Sequence, residues 1–162
     1  MRSENSESHE MEMKIRRYLV FLAVLLAMIV AITYNNNFLL APPYAVTAYL
    51  LVFERESKFS KAGNIAASYI FVIISSEAIH LTLGISASAL VLNLVAVSLF
   101  ISFTKYSHPP ALALTIFSYI AHNSVEFTIT SFVVLAIAIT ADVLIKWSHA
   151  IDSRDAKSEH PG

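Results

Sequence analysis

The run YLVFLAVLLAMIVAITY, from Tyr18 to Tyr34, contains one polar aliphatic residue, Thr33. As a helix rising about 1.5 Å per residue it nearly crosses a hydrocarbon core of roughly 30 Å. Five further apolar blocks follow, at about Phe38 to Phe53, Ile65 to Leu83, Ile85 to Thr104, Pro109 to Ala121 and Glu126 to Ile145. Apolar residues make up 56% of the chain and charged residues 14%, and the apolar ones come in blocks rather than at amphipathic spacing. The expected fold is an all-α membrane protein of six hydrophobic segments. Lys14, Arg16 and Arg17 precede the first block, which reads as an uncleaved anchor because no small-residue cleavage pattern follows it. The absence of cysteine excludes disulfides, thiol chemistry and thiolate metal sites.

Basic residues set the expected orientation. If all six blocks cross, the N-terminal tail, the Glu54 to Asn64 loop, the turn around Lys105 and the C-terminal tail share one side, and those places hold all eleven lysines and arginines. The other side receives Asn35-Asn36-Asn37, the turn at Gly84 and His122-Asn123-Ser124. Both termini are therefore expected in the cytoplasm, with the protein multi-pass in the plasma membrane. The fifth block is too short to cross as one straight helix and needs a tilt or a break. Residues 1–14 and 148–162 are polar and read as disordered tails around a transmembrane domain at 15–147. In the loop, Gly63-Asn64 is a candidate cap for the third helix.

Prolines interrupt the apolar blocks in two places, APPYAVTA from Ala41 to Ala48 and YSHPPALAL from Tyr106 to Leu114. Proline lacks an amide donor yet suits the first turn of a helix, so Pro42-Pro43 and Pro109-Pro110 each mark a helix start. A helix N-terminus carries partial positive charge and presents N–H groups to an anion, to which Lys105 and His108 would add. The alternative is a helix that merely starts at the interface, with His108 in water. The matching positions of the two pairs, in segments two and five, suggest two three-segment units inverted relative to each other, an arrangement that points to a transport site.

HPPALAL, after an apolar segment ending SFTKYS, resembles the signature of the HPP family of small integral membrane proteins. The resemblance extends through FLLAPPYAVTAYLLVF and ERESKFSKAGN, and covers the chain from about Tyr18 to Trp147. His108, Pro109, Pro110, Ala111 and Ala113 carry the signature, whereas Leu112 stands where the family has glycine and Ala67-Ser68 where it has Gly-His. The resemblance implies a transporter-like membrane protein, and the family's plant and cyanobacterial members are associated with nitrite transport.

SSEAIH, from Ser75 to His80, lies well inside the third segment. An ionised carboxylate near the bilayer centre costs on the order of 3 kcal/mol, so Glu77 needs a partner, a wet cavity or a proton. Glu77 and His80 share a helix face, Asn93 lies at comparable depth across the Gly84 turn, and Thr128, Thr130 and Ser131 begin the last segment on the same side. Glu77 reads as a proton carrier, as a structural group bonded to Asn93 or His80, or, with the lowest weight, as half of a metal site, since no second E-x-x-H accompanies it. Asp142 and Lys146 are spaced for an ion pair.

The function expected is passive or proton-coupled movement of a small inorganic anion, nitrite-like by resemblance alone. The site would lie between Pro42-Pro43 and Pro109-Pro110, with His108 and Lys105 attracting the anion and Glu77, His80 and Asn93 handling protons beyond. The rival is a non-transporting membrane subunit acting through protein partners. Neither an enzymatic constellation nor a cofactor, metal or nucleic-acid site is legible, and a pathway through six short helices leaves room for a homo-oligomer.

Overall fold

A computed structural model describes residues 2–33, 42–121 and 124–158, with side chains over 10–33, 42–121 and 124–148. The expected turns at Asn35-Asn36-Asn37 and at His122-Asn123, and the last residues of the C-terminal tail, lie outside them. The described residues form six α-helices and no strand: α1 Arg2–Thr33, α2 Pro42–Phe53, α3 Ala62–Leu83, α4 Ala87–Phe103, α5 Pro110–Ile120 and α6 Ser124–Ser158. A 3-10 turn, Lys58–Ser60, sits between α2 and α3.

Local chemistry fixes most of the boundaries. Ser86 extends its backbone and accepts from Ala89 N–H at 3.2 Å, capping α4. Gly84 ends α3 at φ 70° and ψ −171°, a conformation nearly restricted to glycine. The proline pairs start α2 and α5. Asn64 does not cap α3: the helix begins two residues earlier, and the Asn64 amide donates back to the Lys58 carbonyl at 2.5 Å. α1 begins at Arg2 and α6 extends to Ser158, each running into its terminal segment. An i,i+4 pair, Glu10 with Lys14 at 2.7 Å, supports the first of these extensions.

Three helices, at Glu10–Thr33, Ala62–Leu83 and Ser124–Ser148, are long and apolar enough to cross a membrane. By contrast α2, with 12 residues, and α5, with 11, extend only about 18 and 17 Å at the helical rise. They run antiparallel against each other, Tyr44 meeting Phe117 at one level and Thr47 reaching His108 at another. Around them α3 touches α4, α5 and α6, while α1 touches α2 and α6. Exchanging α1, α2 and α3 for α4, α5 and α6 leaves the set of substantial helix pairs unchanged: α1·α2 becomes α4·α5, α1·α6 becomes α4·α3, α2·α6 becomes α5·α3, and α2·α5 and α3·α6 map onto themselves.

Polarity is sorted as a bilayer requires. Leu81 and Phe103 are 84% exposed, whereas Thr47, Ser76, Asn93, His108 and Thr115 are fully buried. Apolar surface gains nothing by hiding from lipid, so helix contacts depend on small residues, close packing and buried hydrogen bonds. Ser68 and Ser76, on the buried stripe of α3, are such residues.

Candidate functional site: a buried polar line along α3

His108 lies in the turn between α4 and α5 and is sealed from solvent. Its Nδ1 is 2.7 Å from the Phe59 carbonyl, which can only accept, so Nδ1 carries the hydrogen and donates. Nε2, 3.0 Å from Thr47 Oγ1, is then the acceptor in the neutral ring. Tyr69 OH stands 2.9 Å from the same Thr47 oxygen and donates to it. Thr47 has one proton for two acceptors, His108 Nε2 and the Pro43 carbonyl at 2.9 Å. Burial holds the imidazole well below the usual histidine range, at about 4, against a smaller opposing effect of the Phe59 carbonyl. The Ser68 hydroxyl donates to the Tyr106 carbonyl at 2.7 Å and fastens the other side of the turn.

This geometry changes the roles expected of the HPP stretch. Pro109 and Pro110 have no N–H, and the next two amides are already used, Ala111 N–H by the His108 carbonyl and Leu112 N–H by the Pro109 carbonyl, each at 3.0 Å. The first two amides of α5 are therefore already bonded within the turn, and His108 links α2 to the Phe59 loop from a buried position. Lys105 points away, exposed, with its ammonium 5.1 Å over the Tyr106 ring. Pro43 is buried beside this network and Pro42 is exposed.

Deeper along α3, Ser76 joins three helices. Asn93 Nδ2 of α4 donates to its hydroxyl oxygen at 2.9 Å, and Ser118 Oγ of α5, whose one proton also has the Thr115 carbonyl at 2.8 Å as acceptor, lies 3.1 Å from the same atom. Asn93 Oδ1 is buried without a partner among the described residues. Tyr44 of α2 pairs with Ser131 of α6 at 3.2 Å. At the far end, Glu77 Oε1 accepts from Ser124 Oγ and Thr128 Oγ1, both at 2.6 Å. Because Ser124 gives its proton to Glu77, His80 Nδ1, 3.4 Å from Ser124 Oγ, is the donor there. His80 Nε2 is left as a buried lone pair with no partner among the described residues. Tyr119 packs against the His80 ring at 4.4 Å between centroids and donates to the Ala89 carbonyl at 3.0 Å.

Glu77 and His80 thus meet at Ser124, as their shared face predicts, but Asn93 bonds Ser76 and not Glu77. Thr47, Tyr69, Ser76, Ser118 and Ser124 were not singled out from sequence. Isolated hydroxyls on apolar helices carry no local signal, and only the three-dimensional packing makes them a set. The basic side chains collect at the opposite end, where Arg16 and Arg17 of α1, Arg55 after α2 and Lys146 of α6 line one cavity. Asp142 pairs there with Lys146, as expected, and also approaches Arg55 at 3.7 Å. Among the described residues no cluster of three or more His, Asp or Glu side chains is placed to hold a metal.

The family model described as "HPP, transmembrane region" matches residues 7–161, nearly the whole chain. No curated protein and no solved structure matches it.

Proposed function

The chain belongs to the HPP transmembrane family and is an integral membrane protein; from that premise we propose that it moves a small inorganic anion, nitrite-like in size and charge, through its core, passively or with a proton. The carrying observation is the succession of polar groups along α3, buried at His108–Thr47–Tyr69 and at Ser76–Asn93–Ser118 and half-buried at Ser124, Glu77 and His80. Hydroxyl and amide donors suit an anion, and most of this line bears no fixed charge. The unpartnered Asn93 Oδ1 and His80 Nε2 are both acceptors and mark positions where water, as a donor, would complete the bonding.

In this reading the HPP turn is the closure at the basic end. His108 holds the Phe59 loop to α2 through Thr47, and releasing that bond opens the line. Glu77 and His80 form the proton-handling end, with His80 Nε2 as the vacant acceptor and Glu77 alternating between the ionised form and a neutral one that no longer repels an anion. The two short antiparallel helices support an inverted pair of three-helix units, as does the contact pattern that survives exchange of the halves. The basic end would face the cytoplasm, with both termini.

The test is uptake of nitrite, with nitrate and chloride for comparison, into proteoliposomes that contain a pH dye. Wild type is expected to take up anion, and Glu77→Gln to lose the accompanying proton signal. Absence of flux for every anion, from protein shown to be folded, rejects transport in favour of a membrane subunit that acts through partners.

A further inference from the structure

A cavity of about 740 Å³ opens between the N-terminal half of α1, the end of α2 and the C-terminal part of α6. Four cationic side chains, Arg16, Arg17, Arg55 and Lys146, line it. Glu54 and Glu56 also line it and Asp142 stands beside Arg55 and Lys146, so the four cations outnumber the carboxylates by one. Its wall is otherwise apolar, with Val20, Val52 and Leu144 prominent.

Arg55 makes the cavity more than a basic patch. Its Nη2 stands 3.7 Å from buried Asp142, beyond hydrogen-bond length, and Asp142 already binds Lys146, so one carboxylate serves two cations. Arg55 Nη1 is shut off from water and has no partner among the described residues. A buried guanidinium edge without an acceptor is costly, and its planar fork matches the paired oxygens of a phosphate. Membrane proteins place basic pockets between helices at headgroup depth, where the phosphate meets the cations and the acyl chains meet the apolar wall. Inorganic phosphate would use the cations and leave the apolar wall without a role.

We propose that this cavity binds the phosphate of an anionic phospholipid, with Arg55 as its direct contact and Arg16, Arg17 and Lys146 supplying the surrounding positive field. The site is independent of transport through the core.

Purified full-length protein in neutral detergent should unfold at a higher temperature with phosphatidylglycerol, and native mass spectrometry should retain the lipid. Phosphatidylcholine and inorganic phosphate should do neither. Arg55→Gln should weaken phosphatidylglycerol binding at least tenfold. Because that change also strips Asp142 of a partner, Leu144→Trp, at an exposed position on the cavity wall, provides a second variant that fills the cavity, leaves the charges in place and should also lose the lipid. Equal shifts with phosphatidylcholine, full reproduction by inorganic phosphate, or undiminished phosphatidylglycerol binding in both variants would each overturn the assignment.

Discussion

Thr47 Oγ1 lies 3.0 Å from Nε2 of His108, and this one contact joins the second helix to the turn before the fifth across 61 residues of sequence. The same oxygen receives Tyr69, so one small hydroxyl serves two helices and the HPP turn. Thr47→Val keeps the shape and removes the oxygen. It should leave Tyr69 OH and His108 Nε2 unpaired, at about 1–3 kcal/mol for each. Thermal unfolding in detergent should show a clear loss for Thr47→Val and a much smaller one for Thr47→Ser.

His108 makes stability sensitive to acid. Its folded-state pKa, about 4, is below the ordinary histidine value of 6.5, so between those limits the unfolded chain binds a proton that the folded chain refuses. Stability is therefore full above about pH 6.5 and declines as pH falls toward 4, by at most about 1.4 kcal/mol per pH unit from this group. Melting temperatures measured from pH 7 to pH 5 should fall less steeply in His108→Gln than in wild type. Parallel slopes would remove His108 from the account.

Ser76 accepts from Asn93 and meets Ser118, and Ser76→Ala deprives the buried Asn93 amide of its acceptor while leaving Ser118 its Thr115 carbonyl. We expect a loss of about 1–3 kcal/mol. Ser75, one residue earlier, bonds only the Val72 carbonyl of its own helix, so Ser75→Ala should stay within about 0.5 kcal/mol of wild type. Equilibrium unfolding of the two variants side by side separates a junction between helices from a generic serine effect.

The α3–α4 turn gives a purely backbone test. A Cβ at Gly84 would meet nothing within 4 Å, yet φ is 70°, so Gly84→Ala should cost about 1–3 kcal/mol through conformation alone. Gly63 also has open space around a Cβ, but it is helical, and Gly63→Ala should gain up to about 1 kcal/mol. Opposite signs in the two melting shifts are the expected result.

What the sequence made legible is what local rules govern. Proline pairs cannot continue a helix, so the starts of α2 and α5 could be read directly, as could the capacity of the long blocks to span. The Asp142–Lys146 pair followed from helical spacing. Contacts between helices were less accessible because one residue along a helix turns the side chain by about 100°. Asn93 was placed at the right depth, but the facing group is Ser76 rather than its neighbour Glu77, which turns toward Ser124 and Thr128 on α6. The fate of the α5 amides depended on carbonyls of the preceding turn, and the inaccessibility of His108 on a loop 49 residues upstream at Phe59. The cavity beside Arg55 escaped for the same reason, since its walls come from three helices far apart in the chain.

The set of substantial helix contacts is unchanged when α1, α2 and α3 trade places with α4, α5 and α6, so each contact has a counterpart in the other half or is its own. A substitution that loosens α1 against α2 therefore has a matched control in α4 against α5, and one between α2 and α6 a matched control between α5 and α3. Comparing the losses within such pairs measures how evenly the two halves bear the stability of the whole.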